Sequence, residues 1–178
     1  GLLIVLTAVQ AEHGQYAAAV AGLEECCIIF ERLRNKRAHC IALCNLAELL
    51  MIQGEIASGM THAQRSLDMA TDVDFHVGIA ASLRVLAMGQ MDTGAIDTAG
   101  NSLTRALSYA ESEVGIDRVA TRFLCGRLAL RMGDPEGSRL HLEAGLAAAA
   151  EGDPESYAPV LIAMRARAAI IAGEDEEG

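Results

Sequence analysis

The chain has 178 residues, of which 52% are apolar and only 3% aromatic. Alanine and leucine supply most of the apolar side chains, which favours closely packed helices over a β-sheet protein. The net charge of −10 argues against nucleic-acid contact by this segment, because phosphate binding needs a basic face. The five cysteines are an odd number, so we interpret them as reduced thiols of a cytoplasmic protein rather than a disulfide framework.

The first ten residues, GLLIVLTAVQ, are apolar but lack a basic leader. A membrane span needs ~20 apolar residues, so this stretch predicts neither an anchor nor a signal peptide. We expect the sequence to begin partway through a helix. A single lysine against thirteen arginines, together with the alanine content, suggests a bacterial gene from a GC-rich genome.

Glycines recur along the chain at intervals of 40, 40, 39 and 40 residues, at Gly14, Gly54, Gly94, Gly133 and Gly173. A fixed period in this range indicates a repeat array. Each glycine ends a first helix, predicted over 2–13, 37–53, 76–91, 117–132 and 156–172. Second helices are predicted over 15–34, 55–72, 94–113 and 135–150. The chain is then a single repeat domain, 1–178, with units at about 1–35, 36–74, 75–115, 116–154 and 155–178, and we expect it to be a fragment of a longer protein.

Small residues occupy three columns relative to these glycines, at seven before, five after and twelve after. A fourth column, nine after, is mostly leucine. Two antiparallel helices approach closely where both carry small side chains, so these columns predict the faces on which the helices pack. Glycine suits the end of a helix and Pro135 suits the first turn of the next. We therefore interpret RMGDPEGSRL, residues 131–140, as a turn between helices and not as a loop that holds chemistry.

This pattern of small residues around a turn glycine resembles the tetratricopeptide repeat (TPR), although the period is 40 rather than ~34 residues. The resemblance implies an all-α, right-handed solenoid of antiparallel helix hairpins, with about four and a half units. Repeats of this length are also similar to the helical sensor regions of bacterial signal-transduction ATPases, including MalT-like regulators of the LuxR type. That likeness implies a superhelix that binds an inducer or a partner protein and relays its occupancy to the ATPase.

Enzyme and metal signatures are incomplete in this sequence. Cys40 and Cys44 lie four residues apart beside His39, but a metal site needs three or four converging ligands. His62 and His141 occupy equivalent places two units apart, so a shared catalytic site is not expected. Gly-x4-Gly at 89–94 lacks the lysine and hydroxyl of a phosphate loop, and Asp72 and Asp74 lack a calcium loop around them. We predict no enzymatic activity, no cofactor and no metal.

The first helices line the concave face in TPR proteins, and their outward side chains contact ligands. The corresponding residues here are Asn45, Glu48, Arg84, Met88, Phe123, Arg127, Met164 and Arg167. Arginines in successive units, with Met and Phe as adaptable apolar contacts, predict a groove for an acidic or polar ligand such as a peptide carboxylate or a sugar. The alternative is that these arginines only pair with acidic groups on neighbouring helices.

The leading functional expectation is a non-enzymatic binding scaffold, the sensor or interaction region of a larger bacterial transcriptional regulator. The alternative is a stand-alone TPR adaptor that joins proteins. In either case the partner is a protein, a peptide or a small-molecule inducer, with no nucleic acid or membrane contact. The truncated ends, notably Leu2, Leu3, Ile4 and Leu6, would expose apolar surface and favour a homodimer.

Overall fold

The computed structural model describes residues 15–110 and 116–151, and all regular structure in these residues is helical. The seven helices within these ranges agree with the predicted bounds to within a few residues. They are α1 (Tyr16–Arg32), α2 (Lys36–Ile52), α3 (Ile56–Asp72), α4 (His76–Asp92), α5 (Ile96–Ala110), α6 (Ile116–Arg131) and α7 (Pro135–Glu151). The predicted helices over 2–13 and 156–172, and the apolar end at Leu2 to Leu6, lie outside the described residues.

The turns inside three of the units are built on the predicted glycines, and those predicted at Gly14 and Gly173 lie outside the described residues. Gly54, Gly94 and Gly133 have φ angles of 88°, 81° and 74°, which is the left-handed region that glycine enters at least cost. At the first of these turns, the Gly54 N–H donates to the Met51 carbonyl at 3.0 Å and the Glu55 N–H donates to the Leu50 carbonyl at 2.9 Å. These paired bonds form a Schellman motif, which satisfies carbonyls at the helix end.

The two described turns between units have the same geometry without glycine. Arg34 and Asp74 have φ angles of 53° and 49°. The Arg34 N–H donates to Glu31 O and the Asn35 N–H to Phe30 O, both at 3.0 Å, which repeats the Schellman pattern. The next helix then begins with a cap, because Asn35 Oδ1 accepts a hydrogen bond from the Ala38 N–H at 3.1 Å. One backbone motif therefore makes both kinds of turn.

The turn at 131–140 is a corner between helices, as predicted. Gly133 takes the left-handed conformation and Pro135 is the first residue of α7. Asp134 caps α7, since its Oδ1 accepts a hydrogen bond from the Gly137 N–H at 2.8 Å. The acidic side chain at this position thus stabilises the start of a helix.

The predicted columns of small residues and leucines are buried wherever the structure describes them. In the column seven before the turn glycine these are Ala47, Ala87 and Gly126, and in the column five after it Ala19, Gly59, Ala99 and Ser138. The column twelve after contains Cys26, Ser66, Ala106 and Gly145, and the leucine column contains Leu23, Ala63, Leu103 and Leu142. In the described residues, the core therefore lies between the two helices of a unit and extends onto the next unit along, in four clusters.

Each helix packs on its sequence neighbours, and the first helices of consecutive units also contact one another, α2 with α4 and α4 with α6. The chain thus forms an all-α solenoid with the first helices side by side. We call the packing of α4 on α2 and α3 the first junction, and the packing of α6 on α4 and α5 the second junction.

Buried hydroxyl groups link the three helices of the first junction. Ser66 Oγ donates to the Cys40 carbonyl at 2.9 Å, and Ser82 Oγ lies 2.8 Å from Ser66 Oγ and 2.7 Å from the Gly78 carbonyl. The Cys44 thiol lies 3.9 Å from Ser82 Oγ. Both serines are fully buried, so their hydroxyls need these partners.

Candidate interaction groove

The first helices lie side by side, and we call the face that they present to solvent the groove; it carries a partly exposed side chain per unit at an equivalent position. Glu48, Met88 and Arg127 are 40 and 39 residues apart and lie on α2, α4 and α6. All three are half-buried. We call them the groove column. Successive units therefore offer a carboxylate, a thioether and a guanidinium group at the same place on a rigid scaffold.

Arg84 on α4 forms an ion pair with Glu48 on α2. Its Nη1 donates to Glu48 Oε1 at 3.4 Å and its Nη2 to Oε2 at 3.2 Å, so the two planar groups meet side by side. The side chains are 14% and 33% exposed, which limits competition from water. For Arg84, the structure thus shows the predicted alternative of pairing with an acidic group on a neighbouring helix.

Arg127 has a different environment. Its guanidinium carbon lies 6.0 Å from the centre of the Phe123 ring, one turn earlier on α6. Within residues 15–110 and 116–151, no carboxylate forms an ion pair with Arg127. A cation over an aromatic face at an exposed site gains only about 0.5–1 kcal/mol, so the charge remains available to a further ligand.

Asn45 lies on α2, on a different face of the helix from Glu48. Its equivalents in the next two units, Val85 and Leu124, are 0% and 3% exposed and lie in the core. Asn45 itself is half-buried. Met164, which is in this column, and Arg167, which is in the groove column, lie outside the described residues. A ligand-binding role for any of the eight predicted residues stays a prediction.

Two further residues on the groove side were not singled out from the sequence. Ile41 lies seven residues before Glu48, hence on the same face of α2, and it is 39% exposed. Arg37 lies one turn before Ile41, and its guanidinium carbon is 5.4 Å from the centre of the ring of Phe75, the residue just before α4. The seven-residue spacing back from Glu48 is the signal that would have found Ile41.

The cysteines are buried or half-buried, and all five are free. Burial raises the pKa of the Cys27 thiol to about 11 and that of the Cys125 thiol to about 11, so both are protonated at neutral pH. Cys40 and Cys44 are part of the first junction. No group of three or more His, Cys, Asp or Glu side chains in the described part of the chain is arranged to hold a metal ion.

The histidines differ in their surroundings. Burial lowers the pKa of His39, which is 3% exposed, and the nearby Arg65 lowers it further. Burial and Arg122 also lower the pKa of His141. Arg122 Nη1 lies 3.4 Å from His141 Nδ1, and because arginine only donates, the imidazole accepts at that nitrogen. Both histidines are therefore neutral near pH 7, and their surroundings explain this without a catalytic role.

A second concavity of about 500 Å³ is lined by residues of α3 and α4, including Met60 and Leu86. Its polar groups already bond to one another or to neighbouring helices. Gln64 Nε2 donates to Asp68 Oδ1 at 2.7 Å, and Arg65 pairs with Glu31 of α1 at 3.3 Å. The groove column is the better candidate site because it combines exposure with varied chemistry.

In the part of the chain that the structure describes, no helix is both long and apolar enough to cross a lipid bilayer.

No protein-family model matches this sequence, and no curated protein sequence matches it. Solved structures do share its fold. BtubC (BKLC) from P. vanneervenii superposes with a TM-score of 0.75 at 16% identity, over 97% of this chain and 72% of that one. A putative kinesin light chain from Podosopora anserina with nearly identical TPR-like repeats has a TM-score of 0.69 at 18% identity, over 98% of this chain and 87% of the other. The chain is thus similar in structure to TPR-like helical repeat proteins, which confirms the predicted fold.

Proposed function

We propose that this chain is a non-enzymatic protein-interaction scaffold whose partner lies along the groove of first helices. The groove column is the observation that carries this proposal. Three units present Glu48, Met88 and Arg127 at equivalent, half-buried positions, while the remaining faces of α2, α4 and α6 are largely packed. A rigid row of differing side chains suits recognition of an extended or helical polypeptide, because little conformational entropy is lost on binding.

The test is photo-crosslinking from two positions in the producing cell. A crosslinking amino acid at Met88 reports on the groove, and one at Leu140, which is 55% exposed on α7, reports on a second helix. We expect the same partner to be trapped reproducibly from Met88 and not from Leu140. Crosslinks only from Leu140, or equal patterns from both sites, would remove the groove as the binding surface.

The finer proposal is that the scaffold is the sensor region of a larger cytoplasmic regulator, a LuxR-type transcription activator or a related signal-transduction ATPase. Its support is the 40-residue period, which is similar to the helical repeats of those regulators. In that case the groove ligand is an inducer, either a small molecule or a protein. The alternative is a stand-alone adaptor, in which the groove joins two proteins and no catalytic module takes part.

The neighbouring coding sequence separates these two proposals. A phosphate-binding loop upstream and a helix-turn-helix downstream support the sensor of a transcription activator. Neighbouring sequence that encodes only further repeats supports the adaptor. The free thiols, with pKa values raised by burial where they are shifted, are compatible with a reducing cytoplasm in both cases.

A further inference from the structure

The charges along the groove are arranged asymmetrically. At the first junction Glu48 and Arg84 neutralise each other through two hydrogen bonds. One unit further on, Arg127 stands over Phe123 without a carboxylate partner among the described residues. Within the described residues, the groove is therefore neutral at α2 and α4 and cationic at α6.

The helix that carries Arg127 is basic within an acidic protein. The α6 sequence, IDRVATRFLCGRLALR, contains four arginines and one aspartate, whereas the whole chain has a net charge of −10. Two of the neighbouring arginines are engaged locally. Arg122 donates to His141, and Arg131 Nη1 donates to the Met91 carbonyl at 2.6 Å. Arg118 also has an interaction partner, so Arg127, which lies over Phe123, is the α6 arginine whose charge is left for a ligand in the groove.

We propose that the groove selects a polypeptide segment with an acidic residue beside apolar ones, and that Glu48 limits its affinity for such a segment. This inference rests on the proposed function and specifies the partner's chemistry. The partner's carboxylate pairs with Arg127, and its adjacent apolar side chains contact Phe123 and Met88, both half-buried. Charge complementarity is the argument for this occupant, because an aromatic ring beside an unneutralised guanidinium favours a carboxylate with an apolar neighbour.

Glu48 limits access of a ligand carboxylate to Arg84, the second cation of the groove. Arg84 already donates two bonds to the Glu48 carboxylate, so an incoming carboxylate reaches Arg84 only by displacing Glu48 and facing its charge. Removing the negative charge of Glu48 would lift the repulsion that an incoming carboxylate meets at this position. The structure therefore leads to an unusual expectation, in which loss of a groove residue strengthens binding.

The experiment measures fluorescence anisotropy of two labelled peptides, one in which Glu alternates with Leu and one in which Gln replaces every Glu. We expect the acidic peptide to bind at least ~10-fold more tightly, as charged hydrogen bonds allow. Arg127→Gln should abolish this preference, and Glu48→Gln should increase affinity for the acidic peptide alone by ~3- to 10-fold. Arg65→Gln is the matched control, because Arg65 lies on α3 and pairs with Glu31. Far-UV circular dichroism confirms that each variant is folded.

The peptide experiment tests the charge selectivity of the groove separately from the scaffold proposal. Equal binding of the two peptides, no binding of either, or a preference that survives Arg127→Gln overturns this inference. Weaker binding of the acidic peptide to Glu48→Gln also overturns it, because that result would make Glu48 a contact residue. The Met88 crosslinking result stands independently, so a failure of charge selectivity is distinguishable from a failure of the scaffold proposal.

Discussion

The first and second junctions place the bulky side chain on opposite partners at an equivalent contact. At the first junction, Met60 of α3 lies over Gly89 of α4, where an added Cβ would be 2.6 Å from Met60 Cγ. At the second, the equivalent pair is Gly100 of α5 and Leu128 of α6, and a Cβ on Gly100 would be 3.7 Å from Leu128 Cδ2. The contact needs one large and one small residue, and either helix supplies the large one.

The junctions also differ in polarity at equivalent positions. Ser66 and Ser82 bond to each other at the first junction, while Ala106 and Thr121 occupy the corresponding places at the second. All four residues are fully buried. Small size is therefore the shared requirement of these positions, and the hydroxyl pair is specific to the first junction.

The largest expected effect comes from placing the second junction's residue in the first. Gly89→Leu should lower the free energy of unfolding by ~3 kcal/mol or more, because the new side chain overlaps Met60. The double variant Met60→Gly, Gly89→Leu reproduces the second junction's arrangement and should regain more than half of that loss. Urea unfolding of the single and double variants measures the coupling. A double variant no more stable than Gly89→Leu would show that the two positions are not interchangeable.

Removing a hydroxyl should have opposite effects in two buried serines. Ser82→Ala should cost ~1–2 kcal/mol, because Ser66 and the Cys44 thiol lose a partner at the first junction. Ser138 is equally buried, but its Oγ has no hydrogen-bond partner within the described residues. Ser138→Ala should therefore be neutral or stabilising by up to ~1 kcal/mol. Thermal unfolding of both variants checks the difference, and equal losses would contradict the assigned role of the Ser66–Ser82 pair.

Arg131 is a polar link confined to the second junction. Its Nη1 bonds the Met91 carbonyl at the end of α4, and its Nη2 lies 3.9 Å from Asp92 Oδ1. Arg131→Met should cost about 1 kcal/mol, since it removes a cation from a helix C-terminus while keeping the aliphatic stem. Urea unfolding at low and high salt measures this loss. Arg105→Met on α5 is the comparison variant, and a similar loss there would argue against a specific role of the Met91 contact.

The turns between units offer a small gain in stability. Arg34 holds a φ of 53°, a conformation that costs a non-glycine residue energy. Arg34→Gly should raise the free energy of unfolding by about 0.5–1 kcal/mol, because relief of that strain exceeds the added freedom of the unfolded chain. The same change at Arg32, which is helical, should be destabilising. Denaturant midpoints of the two variants decide whether the strain is real.

The two histidines with lowered pKa values should make stability depend on pH under mildly acidic conditions. Burial lowers the pKa values of His39 and His141 in the folded chain, so the unfolded chain protonates first as the pH falls. The contribution of these histidines to stability should thus be constant above the unfolded pKa of about 6.5 and decrease below it. His39→Leu should flatten the decrease. A decrease unchanged in His39→Leu would mean that other groups cause it.

The helices and turns were predictable from the sequence, because the 40-residue period places glycine where a left-handed residue ends each first helix. The buried columns of small residues and leucines were predictable for the same reason. The left-handed conformation of Arg34 and Asp74 was not predicted, since neither residue is the glycine that marks the other turns. The pairing of Arg84 was foreseeable only as one of two alternatives. A partner 36 residues away depends on how adjacent units are offset, which periodicity alone does not determine.

The shared Schellman turn has a consequence for modular engineering of this chain. Arg34 and Asp74 have nearly equal φ angles and end helices in the same way, so residues 35–74 form a cassette with matching joints. Deleting that cassette would bring Phe75 directly after Arg34 and seat α4 on α1 in the place of α2. Duplicating it would lengthen the array by one unit. The molecule's span, and hence the length of the segment it can accommodate, is adjustable in steps of one hairpin.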